Sequence, residues 1–121
     1  MTQPQESPPQ LHYRNNGNVT VVGFANPYLQ AEDVIDKVGA ELFELVDGKG
    51  FTKILLSFSS VRFVSSAMLA QVVKLHKKVA KAKGRLAICS LTPSLREVLR
   101  TSHLDKMLEV YDSESAALAK F

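Results

Sequence analysis

The chain is poor in the residues that build disulfide frameworks and membrane spans. Its 121 residues include a single cysteine, Cys89, and no tryptophan. One cysteine excludes an internal disulfide and is typical of a reducing compartment. Because Cys89 lies in an apolar run, we interpret it as a small core residue. No stretch approaches the ~20 consecutive apolar residues that a membrane-spanning helix needs. The sequence therefore predicts a cytoplasmic protein with no membrane partner.

The usual motifs of catalytic, metal and nucleotide sites are also missing. Three histidines and one cysteine lie apart, without the spacing of metal ligands. Neither a phosphate-binding loop nor a G-x-G-x-x-G turn occurs. A serine nucleophile elbow needs glycine two residues to either side of the serine, and around Ser66 those positions hold Val64 and Met68. These absences predict a chain that is not an enzyme and has no metal or cofactor.

Positive charge is modest and has a structural explanation. The formal net charge is +3. Lysines near the end of a helix oppose the negative end of its dipole. A nucleic-acid surface usually adds stacking aromatics or a recognisable motif, and the basic cluster of this chain has neither. We therefore predict no nucleic-acid partner. The cluster consists of Lys74, Lys77, Lys78, Lys81, Lys83 and Arg85.

The spacing of apolar residues predicts a single α/β domain. Two strands joined by an Asn-Asn-Gly-Asn turn come first, and helices then alternate with strands. This β-β-α-β-α-β-α-β-α order predicts an α/β sandwich with a mixed sheet of about five strands and about four helices, its first pair antiparallel. The polar, proline-rich residues 1–10 are expected to be a disordered leader, and residues 11–121 the domain. The predicted strands are 11–14, 19–24, 52–58, 85–90 and 108–111, and the predicted helices are 31–46, 67–82, a short one from Thr92-Pro93, and 114–120.

Two adjacent serines, Ser65 and Ser66, stand where the segment after a buried strand passes into a helix. The first N–H groups of a helix lack internal acceptors, and the dipole there favours negative charge. A phosphoryl group on such a serine would meet oriented donors. In open α/β sheets, sites also gather at the carboxyl ends of strands. The position therefore suits a phosphorylation switch, and the alternative is that the serines only cap the helix.

The segment Phe63-Val64-Ser65-Ser66-Ala67-Met68-Leu69 resembles the central motif of the STAS domain family, which is named for sulfate transporters and anti-sigma-factor antagonists. In that motif an aliphatic strand and a polar turn precede an aromatic residue, Ile or Val, Asp, Ser, Ser or Thr, Gly and Leu. The resemblance covers roughly residues 11–118 and is strongest from residue 53 onward. It implies the STAS fold and a stand-alone protein of the anti-sigma-factor antagonist type. The matching residues are Phe63, Val64, Ser66 and Leu69, with Ala67 as a small-residue match.

The resemblance also implies a mechanism, partner switching. The expected partner is an anti-sigma factor with serine kinase activity, and phosphorylation of Ser66 is expected to end the contact. Ser65 is the alternative acceptor. The phosphoryl group would come from ATP held by the kinase, so this chain needs no cofactor. Phe63 is a candidate contact or a core residue. The expected partner contacts are Ser60, Arg62, Ser65, Ser66 and Met68.

Three positions depart from the family motif. Ser57 and Ser65 stand where the family commonly has Asp, and Met68 where it usually has Gly. Serine caps a helix about as well as Asp, so the fold should tolerate that change, but the charge that a kinase would meet is different. The alternative function is therefore a non-phosphorylated STAS scaffold in a multi-protein signalling assembly. The sequence leaves open the partner's identity, the nucleotide binding reported for some family members, and the oligomeric state, a homo-oligomer included.

Overall fold

A computed structural model of the chain describes residues 9–121. In chain order the elements alternate as the apolar spacing predicts, with two very short strands added. The strands are β1 (Leu11–Asn16), β2 (Val19–Phe24), β3 (Tyr28–Leu29), β4 (Lys53–Ser57), β5 (Phe63–Val64), β6 (Arg85–Cys89) and β7 (Glu109–Tyr111). The helices are α1 (Glu32–Asp47), α2 (Ser66–Lys81), α3 (Pro93–Thr101) and α4 (Glu114–Leu118), with a 3₁₀ turn at Leu104–Lys106.

Five of the strands form the predicted mixed sheet, in the order β1-β2-β4-β6-β7. The β1–β2 pair is antiparallel, and the other three pairs are parallel. Strand β4 is central, with Ile54 opposite Thr20 on one side and Leu86 on the other. The predicted fold class is thus confirmed, and the loop that follows β4 leaves the carboxyl end of the middle strand.

Strands β3 and β5 form a separate parallel ladder that the sequence did not predict. Each strand has two residues, too few to show the period of two from which a strand is recognised. Asn26 makes β3 still harder to recognise in the sequence, because asparagine there is typical of a turn. Its side-chain oxygen accepts a hydrogen bond from the Tyr28 N–H at 2.8 Å. In the chain, β3 precedes α1 and β5 lies immediately before α2.

Apolar side chains fill both faces of the sheet. On one face, residues of β4 such as Ile54 and Leu56 pack with α1 and α2, through side chains including Val38 and Leu75. On the other face, Leu55 packs with Ala117 of α4 and with residues of β2 and β6. The alternation along β4 follows from the pleat, which sends successive side chains to opposite faces.

Cys89 is fully buried on the face covered by α4. Burial raises the pKa of its thiol, because removal from water disfavours the thiolate. The interpretation of Cys89 as a core residue is therefore confirmed.

The described part of the chain begins at Pro9, so most of the expected leader, residues 1–8, lies outside the described residues. The backbone N–H groups of Gln10 and Leu11 both donate to the Glu41 carboxylate of α1, at 3.0 Å each. Within residues 9–121, none of the helices has the length and apolar character needed to cross a bilayer.

Candidate functional site

The loop between β4 and β5 is held firmly against the end of the sheet. The Phe58 N–H donates to the Cys89 carbonyl at 3.0 Å, and the Ser60 hydroxyl donates to the Phe24 carbonyl at 2.9 Å. Phe58 and Val61 are buried, and the Phe58 ring lies 5.0 Å from that of Phe24, centroid to centroid. The loop therefore presents its polar side chains from an anchored backbone.

Strand β5 then fixes the start of α2. The Arg62 N–H donates to the Pro27 carbonyl at 2.7 Å, and the Ser65 N–H donates to the Leu29 carbonyl at 3.0 Å. These bonds join the segment before α2 to the chain just before α1. The ladder thus sets where the N-terminus of α2 begins.

The two adjacent serines have different environments. The Ser65 hydroxyl accepts a hydrogen bond from the Met68 N–H at 3.2 Å, so Ser65 is the N-cap of α2. Ser66 is the first residue of the helix and is exposed. The N–H groups of Ser66 and Ala67 lie in the first turn, where a helix offers them no internal acceptor. A negative group attached to Ser66 would therefore lie beside free donors at the positive end of the dipole.

The surface around Ser66 carries no negative charge from α2. The first turn of the helix contains no acidic residue. Arg62 is exposed, and its guanidinium forms no ion pair with any residue that the structure describes. At the other end of the helix, Lys78 forms an ion pair with Asp47 at 2.8 Å. This lysine of the basic cluster therefore has a structural role.

Met68 is not part of this surface, so its prediction as a partner contact is wrong. Its exposed fraction is 0%, and it packs in the core with Val72 and Leu75. Residues three and four apart share a helix face, and this face of α2 points into the protein. Phe63, which the sequence left between core and contact, has an exposed fraction of 46%.

The remaining predicted contacts lie in the loop after β4 and at the start of α2. Ser60, Arg62 and Ser66 are exposed, and Ser65 is half-buried. Ser57, at the end of β4, donates its hydroxyl hydrogen to Ser59 at 3.3 Å. Sequence reasoning missed Tyr28, which lies beside Phe63 in the small ladder. Its only sequence cue was an aromatic residue directly after the Asn-Pro break.

A hydrogen-bonded cluster of charged and polar side chains lies elsewhere, at the edge of the sheet. The Arg85 guanidinium donates to the Glu109 carboxylate at 2.8 Å, and the Tyr111 hydroxyl donates to the same carboxylate, also at 2.8 Å. Hydrogen bonding by Arg85 lowers the pKa of Glu109, and the bond to Glu109 raises the pKa of Tyr111. These residues link β6 to β7, so we interpret the cluster as structural.

Comparisons with known proteins identify relatives of this chain. The family model described as "STAS domain" matches residues 15–117. A protein of Bordetella bronchiseptica named "Putative anti-sigma factor antagonist BtrV" is 34% identical over 86 residues, which cover 71% of this chain and 73% of that protein.

Two solved structures have a similar fold. The crystal structure of a "putative anti-sigma factor antagonist" from Thermotoga maritima has a TM-score of 0.81 to this chain at 23% sequence identity. The match covers 91% of this chain and 92% of that protein. The structure of the Bacillus cell fate determinant SpoIIAA in its phosphorylated form has a TM-score of 0.69 at 16% sequence identity. That match covers 91% of this chain and 97% of SpoIIAA. The family match spans most of the sequence, and the chain therefore belongs to the STAS domain family, alongside relatives named as anti-sigma factor antagonists.

Proposed function

We propose that this chain is an anti-sigma factor antagonist that works by partner switching. In the unmodified state it binds an anti-sigma factor with serine kinase activity, and phosphorylation of Ser66 ends that contact. One observation carries the proposal: Ser66 is exposed as the first residue of α2, while Ser65 supplies the cap. The helix thus keeps its cap when Ser66 is modified.

A phosphate on Ser66 should leave the fold of this chain stable and weaken its contact with the partner. A phosphoserine carries a charge of about −1.5 to −2 at neutral pH. Within the chain, this charge lies at the positive end of α2, next to the N–H groups of the first turn. In a contact with another protein it must be desolvated, and it repels carboxylates opposite it. Release of the partner therefore costs the antagonist little of its own stability.

Ser65 is a poorer acceptor than Ser66 for a physical reason. Its oxygen already accepts the Met68 N–H, and the residue is half-buried. A phosphate at that oxygen would displace the cap. The names of the relatives support a role toward an anti-sigma factor, and SpoIIAA, a structural neighbour, has been solved in a phosphorylated form.

The experiment is phosphorylation in vitro. The wild-type chain is incubated with Mg-ATP and each anti-sigma factor kinase of its organism, and modified residues are mapped by mass spectrometry. We expect one phosphate, on Ser66, no incorporation into Ser66→Ala, and continued incorporation into Ser65→Ala. Phosphate on another residue in the wild type would contradict the proposed switch.

The scaffold function remains the second candidate because Ser57 and Ser65 lack the carboxylates that the motif commonly carries there. The two candidates differ in the effect of charge at position 66. Partner switching predicts that Ser66→Asp weakens binding to the anti-sigma factor by about tenfold or more, as expected for a like charge placed in an interface. Undiminished affinity of Ser66→Asp, together with no phosphorylation of the wild type, would favour the scaffold.

A further inference from the structure

Two aromatic residues stand exposed next to each other at the small ladder. Tyr28 of β3 and Phe63 of β5 are partners in its parallel register, and their exposed fractions are 50% and 46%. The residues that follow them, Leu29 and Val64, are buried, as the alternation of side chains along a strand requires. Tyr28 and Phe63 therefore rise from the same outward face of the ladder.

This pair is unlike the other exposed large apolar residues in the described part of the chain. The Tyr13 ring packs edge-on against Phe51, with centroids 5.7 Å apart. Met107 lies alone beside the C-terminal half of α2, near Val79. Adjacent exposed aromatics are typical of interaction surfaces, because they bury much area with few rotatable bonds.

The aromatic pair is continuous with the phosphorylation site of the proposed switch. Strand β5 leads directly into Ser65 and Ser66, and the Ser65 N–H is bonded to the carbonyl of Leu29, the residue after Tyr28. A protein that covers Ser66 closely enough to sense a phosphate must therefore also approach this ladder.

We propose that Tyr28 and Phe63 form the apolar anchor of the docking surface for the anti-sigma factor. The inference rests on the proposed function and specifies the chemistry of the partner: an apolar patch with at least one carboxylate beside it. The carboxylate follows from charge complementarity. Arg62 is exposed between the loop and β5 and forms no ion pair with another of residues 9–121. The first turn of α2 contains no acidic residue. A phosphate on Ser66 would then face a like charge on the partner.

The test measures the affinity of the unphosphorylated chain for the anti-sigma factor that phosphorylates the wild type, by titration calorimetry. We expect the double variant Tyr28→Ser, Phe63→Ser to bind at least about 30-fold more weakly, the loss that removal of an interface anchor produces. The matched control is Met107→Ser, which removes a similarly exposed apolar side chain (45% exposed) that lies beside the C-terminal half of α2, away from Ser66. This variant should bind as the wild type does. Arg62→Glu should bind about tenfold more weakly, with a reduced dependence on salt.

Circular dichroism and urea unfolding establish whether each variant is folded. If the double variant is unfolded, Tyr28→Gln and Phe63→Gln are measured singly. A loss of about tenfold in affinity for the anti-sigma factor from either single variant supports the anchor. Wild-type affinity in the anchor variants would overturn this inference while leaving the switch intact, provided that the wild type binds and is released by phosphorylation. Failure of the wild type to bind any anti-sigma factor would overturn both. Self-association that the double variant abolishes, at unchanged partner affinity, would instead make the ladder a contact between copies of this chain.

Discussion

The Ser65 hydroxyl accepts a hydrogen bond from the backbone N–H of Met68 at 3.2 Å, so Ser65 and its neighbour Ser66 have different roles at the start of α2. Ser65 satisfies one of the donors that the start of α2 leaves unpaired. Ser66, one residue further, is the first residue of α2 and is exposed. The helix can therefore be capped and modified at its N-terminus at the same time.

Alanine substitution should separate these two roles. Ser65→Ala removes the cap and should lower the free energy of unfolding by about 1 kcal/mol. Ser66→Ala should change it by less than about 0.5 kcal/mol, as is usual for an exposed residue without a special contact. Urea unfolding followed by circular dichroism measures both. Equal destabilisation by the two variants would show that the cap is shared.

Substitution of Met68 should damage the fold rather than the binding surface. Met68→Ala removes a fully buried side chain that packs with Val72 and Leu75, and should cost about 2–5 kcal/mol of stability. Phe63→Ala is the matched control, because it truncates a large apolar residue at the same site whose exposed fraction is 46%. It should cost less than about 1 kcal/mol. Thermal and urea unfolding distinguish the two outcomes, and a stable Met68→Ala would contradict the assignment of this residue to the core.

Gly84 should not tolerate a side chain. A Cβ there would lie 2.1 Å from the Thr52 carbonyl oxygen. The Arg85 N–H holds that carbonyl with a bond of 2.7 Å, so it cannot move aside freely. Gly84→Ala should therefore destabilise the protein by about 1–3 kcal/mol. At Gly48 the atoms nearest to an added Cβ belong to the flexible Glu44 side chain, so Gly48→Ala should cost clearly less in the same unfolding measurement.

The bond between Arg85 and Glu109 should make stability depend on acid pH. Arg85 lowers the pKa of Glu109 in the folded protein. The stabilisation is therefore fully present above the ordinary glutamate pKa of about 4.3 and is lost as pH falls through the lower, folded value. Both side chains are more than a third exposed, and solvent screening limits the effect to about 0.5–1 kcal/mol.

Urea unfolding of the wild type and of Glu109→Gln at pH 7 and pH 3 tests this pH dependence. The wild type should be the more stable at pH 7, and the difference between the two proteins should shrink at pH 3. A difference that is the same at both pH values would show that the carboxylate charge contributes nothing.

Much of the fold could be predicted because it depends on local patterns. The face of α2 is legible from Met68, Val72, Leu75 and Val79, which recur at helical spacing and are all buried. Thr92 caps α3 by accepting the Leu95 N–H at 3.2 Å, as the Thr-Pro pair indicates. The short ladder was missed because its strands are too brief to form a pattern of their own.

The candidate site was predicted in position and only partly in composition. The serine pair lies at the start of α2, as expected. The helical spacing of Met68 with Val72 and Leu75 already indicates a buried position, so the prediction of Met68 as a partner contact went against that pattern. Phe63 belongs to no such pattern, and its exposure could not be predicted from the sequence. The helix face decides the burial of Met68, and the pairing of Phe63 with Tyr28 decides the exposure of Phe63.

The sequence by itself determined the order of the four helices and of the five strands of the main sheet, the parallel core of that sheet and the place where a serine pair meets a helix. These follow from apolar periodicity, turn residues and capping preferences, which act over a few residues. Only the tertiary structure decided that Tyr28 and Phe63 are neighbours at the segment that leads into Ser66, because they are 35 positions apart in the chain and only the pairing of β3 with β5 aligns them. That juxtaposition depends on long-range pairing, which no local pattern encodes.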